Sequence, residues 1–123
     1  MKHNFENAIK IIEIMEREKL PVREFITTYS EKFKPTNLNN LIPPECMEHD
    51  RFTESAYVFV VGSYLYQMIE KRSVTWLERR RFAKYLHFAE LFCKTLSCNP
   101  KRRTSLSELK KYLEEVEIEC ERL

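Results

Sequence analysis

The chain has 123 residues, of which 33% are charged and 43% hydrophobic, and a formal net charge of +2. It holds one glycine, Gly62, five prolines, and one aspartate, Asp50, against eighteen glutamates. Phosphate-binding loops, dinucleotide fingerprints and nucleophile elbows each need two or more glycines, so this composition excludes them. It also excludes an EF-hand loop and leaves little turn chemistry for a meander of tight hairpins.

One domain over residues 1–123 is the natural reading of this length. A chain of this size buries enough apolar surface to fold without a disulfide or metal staple. Abundant Phe, Tyr, Leu and Ile argue against disorder. No apolar run reaches the ~18 residues of a membrane span, and Met1–Glu6 lacks an apolar signal core. The expected compartment is therefore the cytoplasm, or the host cytosol for a viral gene. Cys46, Cys93, Cys98 and Cys120 are then expected as reduced thiols. Cys93 and Cys98 are five apart, unlike a Cys-x-x-Cys metal or redox pair, and Cys46-Met47-Glu48-His49 is an incomplete ligand set. No metal and no cofactor is expected.

The elements predict an all-α bundle of about five helices. In the first, about Asn4 to Lys19, Phe5, Ala8, Ile9, Ile12 and Met15 form one stripe, which Leu20-Pro21 breaks. Pro21 suits the first turn of a second helix, running to about Phe33 with Val22, Phe25, Ile26, Tyr29 and Phe33 inward. Lys34 to Asp50 is irregular, with Leu38, Leu41 and Ile42 set for a short packed turn. A helix-turn-helix over 5–42 is a minor reading, disfavoured by the absence of a small residue at the turn.

Thr53 to Arg72 reads as the central helix, apolar nearly all round. The alternative is a hairpin at 56–69, pairing Ala56–Val61 with Tyr64–Ile69 across Gly62-Ser63, which would make the fold α+β. Glycine costs a helix about 1 kcal/mol against alanine, so a closely crossing helix is expected at Gly62. In a helix, Gly62→Ala is expected to be tolerated or mildly overpacked.

Thr75-Trp76-Leu77-Glu78 is a capping box opening a helix to about Ser97. Its arc of Phe82, Tyr85, Leu86, Ala89, Phe92, Cys93 and Leu96 is expected to face inward, while Phe88 and Leu91 fall outside it as a second apolar patch, either buried under the Lys34–Asp50 loop or used for a partner. Ser105-Leu106-Ser107-Glu108 opens the last helix. Its stripe of Leu106, Leu109, Leu113, Val116, Cys120 and Leu123 fits either a helix docked on the bundle or a homodimer seam.

Charge is unevenly spread. Residues 71–111 hold twelve Lys/Arg and three Glu, a net +9. Residues 1–70 carry −3 and residues 112–123 carry −4. Two clusters, Arg79-Arg80-Arg81 with Lys84 and Lys101-Arg102-Arg103, would suit an anionic partner. The competing reading pairs them with the glutamate-rich helices of the same fold.

Arg80 and His87 are seven apart, within about 20° on one helical face. An arginine followed by a histidine after four to six residues, in a small helical bundle, is similar to the pattern of HEPN-type ribonucleases. The resemblance covers one short motif. It implies Arg80 or Arg81 acting with His87 on an RNA backbone at a dimer interface. Arg81 or Phe82 stands where that pattern carries a polar residue after the arginine.

The leading expectation is a non-enzymatic interaction module without catalytic residues. Its binding surface comprises Arg79, Arg80, Arg81, Lys84, His87, Lys94, Lys101, Arg102 and Arg103, with Trp76, Phe88 and Leu91 as apolar anchors. The expected partner is a protein, not a membrane. The alternatives are RNA or DNA on the same surface, and a ribonuclease.

Overall fold

The computed structural model describes the backbone of residues 2–71 and 88–121, and the side-chain surroundings of 5–68 and 90–115. The described residues contain α-helices and short 3-10 turns and no strand. The helices are α1 (Lys2–Glu18), α2 (Val22–Thr28), α3 (Glu54–Lys71), α4 (Phe88–Thr95) and α5 (Leu106–Glu121). The chain is all-α. The segment 56–69 is helix, not hairpin, and α3 lies at the centre, against α1, α4 and α5.

Named contacts set the helix directions. Tyr57 donates to the Leu20 carbonyl, and Asn7 Nδ2 donates to the Tyr64 hydroxyl at 2.8 Å, so α1 and α3 run antiparallel. Lys110 meets Glu13 at 3.6 Å, making α1 and α5 antiparallel. Phe5, Ala8, Ile9, Ile12 and Met15 are all buried, as the stripe requires, and Ile11 joins them. The described part of the α5 stripe, Leu106, Leu109 and Leu113, is buried within this subunit.

The helix ends use distant groups. Lys19 terminates α1 at φ 52, the left-handed region that favours glycine. Asp50 caps α2 from across the loop, accepting from the Arg23 backbone N–H at 2.9 Å, while Val22 N–H donates to the Arg51 carbonyl at 3.1 Å. The chain's sole aspartate is thus a tertiary helix cap. Ser105 caps α5 locally, accepting from Glu108 N–H at 3.2 Å. Glu54 of α3 accepts from Leu106 N–H at 2.8 Å. The capping box is incomplete because the Glu108 carboxylate is engaged by the Thr104 hydroxyl at 2.8 Å instead.

Two expected elements differ. The second helix stops at Thr28 and continues as the 3-10 turn Ser30–Phe33. There Phe33 is buried, edge-on to Phe25 at 6.2 Å and to Tyr64 at 6.0 Å. The tighter turn places this ring in the aromatic cluster. Residues 34–50 form a packed connector with 3-10 turns at Leu38–Leu41 and Pro44–Cys46. The Gln67 side chain binds both backbone groups of Asn37, accepting at 2.8 Å and donating at 3.3 Å. Ser63 donates to the Asn40 carbonyl at 2.7 Å. A four-residue turn pinned to α3 in this way leaves no recognition helix for a helix-turn-helix.

The α3–α4 crossing is close at Gly62. A Cβ on Gly62 would stand 2.3 Å from Thr95 Oγ1, 2.5 Å from Thr95 Cβ and 3.3 Å from Leu96 Cδ2. Thr95 Cβ is attached directly to the backbone and cannot rotate away. Alanine is therefore excluded more strongly than the sequence suggested. The Thr95 hydroxyl donates to the Leu91 carbonyl at 2.9 Å, so the buried polar group is satisfied within α4.

Gly62→Ala should destabilise the fold by about 1–3 kcal/mol, the usual cost of overpacking, measured by chemical denaturation. In a double-mutant cycle with Thr95→Gly, which removes both closest atoms, the two losses should be less than additive. A second measurement concerns Lys19→Gly, which should stabilise the protein by up to about 1 kcal/mol by relieving the left-handed backbone.

Candidate interaction surface

The α3–α4 crossing decides which face of α4 is covered. Gly62 opposes Thr95, and Tyr66 meets Phe92 edge-on at 5.3 Å, so the two helices run antiparallel. Leu91 and Thr95 point into the core, at 4% and 0% exposure. Phe92 and Leu96 are half-buried and Cys93 is exposed. This rotates the expected arrangement. Leu91, expected as a surface anchor, belongs to the core, while the Phe92–Cys93–Leu96 arc, expected inward, lies at the edge. The periodicity marked both patches as apolar; it carried no information about which one the Gly62 notch would accept. Tyr66, 46% exposed, extends the edge onto α3. Sequence reasoning missed it because α3 is apolar on every side.

The loop after α4 is held at several points. Thr104 N–H donates to the Lys94 carbonyl at 2.8 Å. Asn99 Oδ1 accepts from Lys101 N–H at 3.1 Å and caps the 3-10 turn Pro100–Arg102. Arg103 does most of the anchoring. Its guanidinium grips Glu45 through both oxygens, at 2.5 and 3.0 Å. It also donates to the Ser97 carbonyl at 2.9 Å and the Ser55 carbonyl at 3.1 Å, and stacks 4.9 Å over the Phe59 ring. Its side chain is 0% exposed and that of Glu45 is 20% exposed. One side chain ties this loop, the 34–53 connector and the start of α3 together.

Arg103 was expected among the partner-binding cations and is instead an internal tie. Other charges of the basic stretch are also engaged. Lys94 bonds Glu90 at 2.8 Å, which holds its ammonium above the ordinary lysine range, and Lys110 faces Glu13 on α1. Lys101 and Arg102 are exposed and make no ion pair with any described residue. Trp76, Arg79, Arg80, Arg81, Lys84 and His87, with the Thr75–Glu78 capping box, lie outside the described residues, as does the Phe88 side chain.

A groove of about 610 Å³ runs along this edge, lined by Phe92, Cys93, Lys94, Leu96, Ser97 and Arg102. Among the described residues its charged linings are two cations, Lys94, which is paired with Glu90, and Arg102. The other described cavities carry carboxylates. A cavity of about 170 Å³ between α4 and α5 has Glu90 and Glu108 in its wall. One of about 600 Å³ near Phe52 has Glu16 and Glu54.

Among the described residues no group of three or more His, Cys, Asp or Glu is placed to hold a metal ion. Cys46 is buried, whereas His49 is exposed. No described helix is long and apolar enough to cross a membrane. Comparison with protein-family models, curated proteins and solved structures finds no match.

Burial pushes the Glu45 carboxyl up, but the hydrogen bonds from Arg103, a bond from its own backbone N–H and the Arg103 and Arg51 charges together outweigh it, and the carboxyl ends below its usual range. A folded-state value below the unfolded one stabilises the fold above the ordinary carboxylate range. That contribution is lost as pH falls through the folded value. Glu45→Gln should therefore flatten part of the acid limb of a stability-versus-pH curve. Arg103→Met should cost about 3 kcal/mol, the lower end for a broken buried pair, because Glu45 keeps some access to water. Arg103→Lys should recover little, since an ammonium cannot reproduce the forked contact and the ring stack.

Proposed function

We propose that this protein is a non-enzymatic helical interaction module that acts in the cytoplasm by occupying a partner protein's surface. One observation carries this reading. A buried guanidinium is committed to fixing the 97–103 loop, while the neighbouring Lys101 and Arg102 stand in solvent without an ionic partner among the described residues. A loop held rigid before binding loses less entropy when a partner arrives. The half-buried apolar edge of Phe92 and Leu96 supplies contact area beside those charges. In this reading Arg79, Arg80, Arg81, Lys84 and His87 add to the basic surface, and Trp76 and Phe88 add apolar anchors.

Internal neutralisation of Arg103, Lys94 and Lys110 lowers the charge the basic stretch offers to an outside ligand. That favours a protein over a long phosphate track, which is bound by many cations releasing counterions together. A homodimer through α5 is a separate proposal, tested by the mass of the protein in solution.

Capture from native-host extract should retain a protein on the wild type and lose it on Lys101→Glu/Arg102→Glu, with thermal stability unchanged. Titrations with single-stranded RNA and duplex DNA at low salt should show no binding. Nucleic-acid binding that the same double variant abolishes, with a steep salt dependence, would replace this reading with the phosphate-binding one. RNA cleavage lost in His87→Ala would replace it with the ribonuclease one.

A further inference from the structure

We propose that the groove beside α4 is the docking site for an acidic segment of a partner protein, anchored by one aromatic or aliphatic side chain. The carboxylates meet Arg102 and Lys101, and the apolar side chain enters between Phe92 and Leu96. This deepens the interaction-module reading and rests on it.

The groove, about 610 Å³, falls within the size range of ligand-binding clefts and has room for a side chain together with its flanking residues. Its floor is apolar because the Gly62–Thr95 contact turns Phe92 and Leu96 to the edge of the core. Among the described residues its one charged lining without an ionic partner is Arg102, since Lys94 is paired with Glu90, and Lys101 precedes Arg102 in the chain. An occupant matching both features carries negative charge beside an apolar anchor. A basic or neutral segment would leave Arg102 without compensation as water is expelled.

The chemistry fits a protein better than a nucleic acid. A base needs an open aromatic face to stack on. The Phe92 ring is half-buried and meets Tyr66 edge-on, with the two planes at 83°, which leaves less of its face for stacking. Among the described residues the other uncharged linings are Leu96, the Cys93 thiol and Ser97. Arginine beside aromatic residues such as Phe92 and Tyr66 matches the composition of protein–protein interfaces, and the Arg103 tie holds the loop that carries Arg102 before binding.

Cys93 provides a local reporter, since its exposed thiol lines the groove. In a full-length Cys98→Ser/Cys120→Ser variant the remaining cysteine, Cys46, is buried. A random peptide-display library is selected on this protein, and enriched peptides are synthesised and tested for protection of Cys93 from iodoacetamide. The expected peptides carry Asp or Glu flanking Leu, Phe or Trp. They should slow alkylation about tenfold at ten times their Kd, by mass action, and lose protection in 0.5 M salt (about three times physiological ionic strength) and in Arg102→Glu with its melting temperature unchanged. Enriched peptides lacking acidic residues overturn the proposal. So do acidic peptides that bind without protecting Cys93, although the interaction-module reading then survives. Protection by single-stranded RNA where no peptide protects would assign the groove to nucleic acid. Failure to enrich any peptide, together with failure of partner capture in the Lys101→Glu/Arg102→Glu comparison, overturns both.

Discussion

Position 62 carries no side chain, and Thr95 occupies the space that a Cβ would take. That contact sets how closely α3 and α4 approach and which side of α4 faces inward. With Thr95 seated against Gly62, Leu91 one turn earlier is carried into the core. Phe92, Cys93 and Leu96 are carried to the edge. The antiparallel pairing continues at Tyr66 and Phe92, whose edge-on rings close the side of the crossing. The apolar edge beside the basic loop follows from an absent methyl group, because neither face of α4 is polar enough to be excluded from the core by solvation alone.

A second tie depends on the first. Once α4 is placed, the chain leaves it close to the start of α3, where Ser55 and Phe59 receive Arg103. Glu45 reaches the same point from the long connector. A buried guanidinium is tolerated only when its donors are met, and here two carboxylate oxygens and two carbonyls accept from it. Polar ties of this kind hold the connector elsewhere, through Gln67 on Asn37 and Asp50 at the start of α2. The longest irregular stretch is thus ordered by side chains that bond its backbone, rather than by secondary structure of its own.

Much of the fold was legible in advance. The stripe of α1, the 3–4 spacing of Leu106, Leu109 and Leu113, and the serine before α5 all report local geometry, and local geometry is what periodicity and capping encode. The central position of α3 followed from its lack of a polar face. The early end of α2 was not legible, because Tyr29 and Phe33 are spaced as a helix would space them. A tighter turn is preferred there because it seats Phe33 between Phe25 and Tyr64. The candidate surface was legible only in part. Lys101 and Arg102 were identified as exposed cations, but Arg103 beside them in the same run is buried. Nothing in three consecutive basic residues distinguishes the one that will meet Glu45, 58 positions away.

The sequence by itself determined the class of fold, most of the described stretches that become helix, and the exclusion of every function that needs a glycine-rich loop. These follow from composition and from spacings within one or two turns, where the residues concerned are already neighbours along the chain. Only the tertiary structure decided which apolar face of α4 is core and which is surface, and which cation is internal. Those outcomes depend on a notch at position 62 and a carboxylate at position 45, both far along the chain from the groups they govern: Thr95 is 33 positions from Gly62 and Arg103 is 58 from Glu45. The one glycine excluded the glycine-rich phosphate loops and nucleophile elbows by its rarity, and its place opposite Thr95 left an apolar edge beside two solvent-exposed cations.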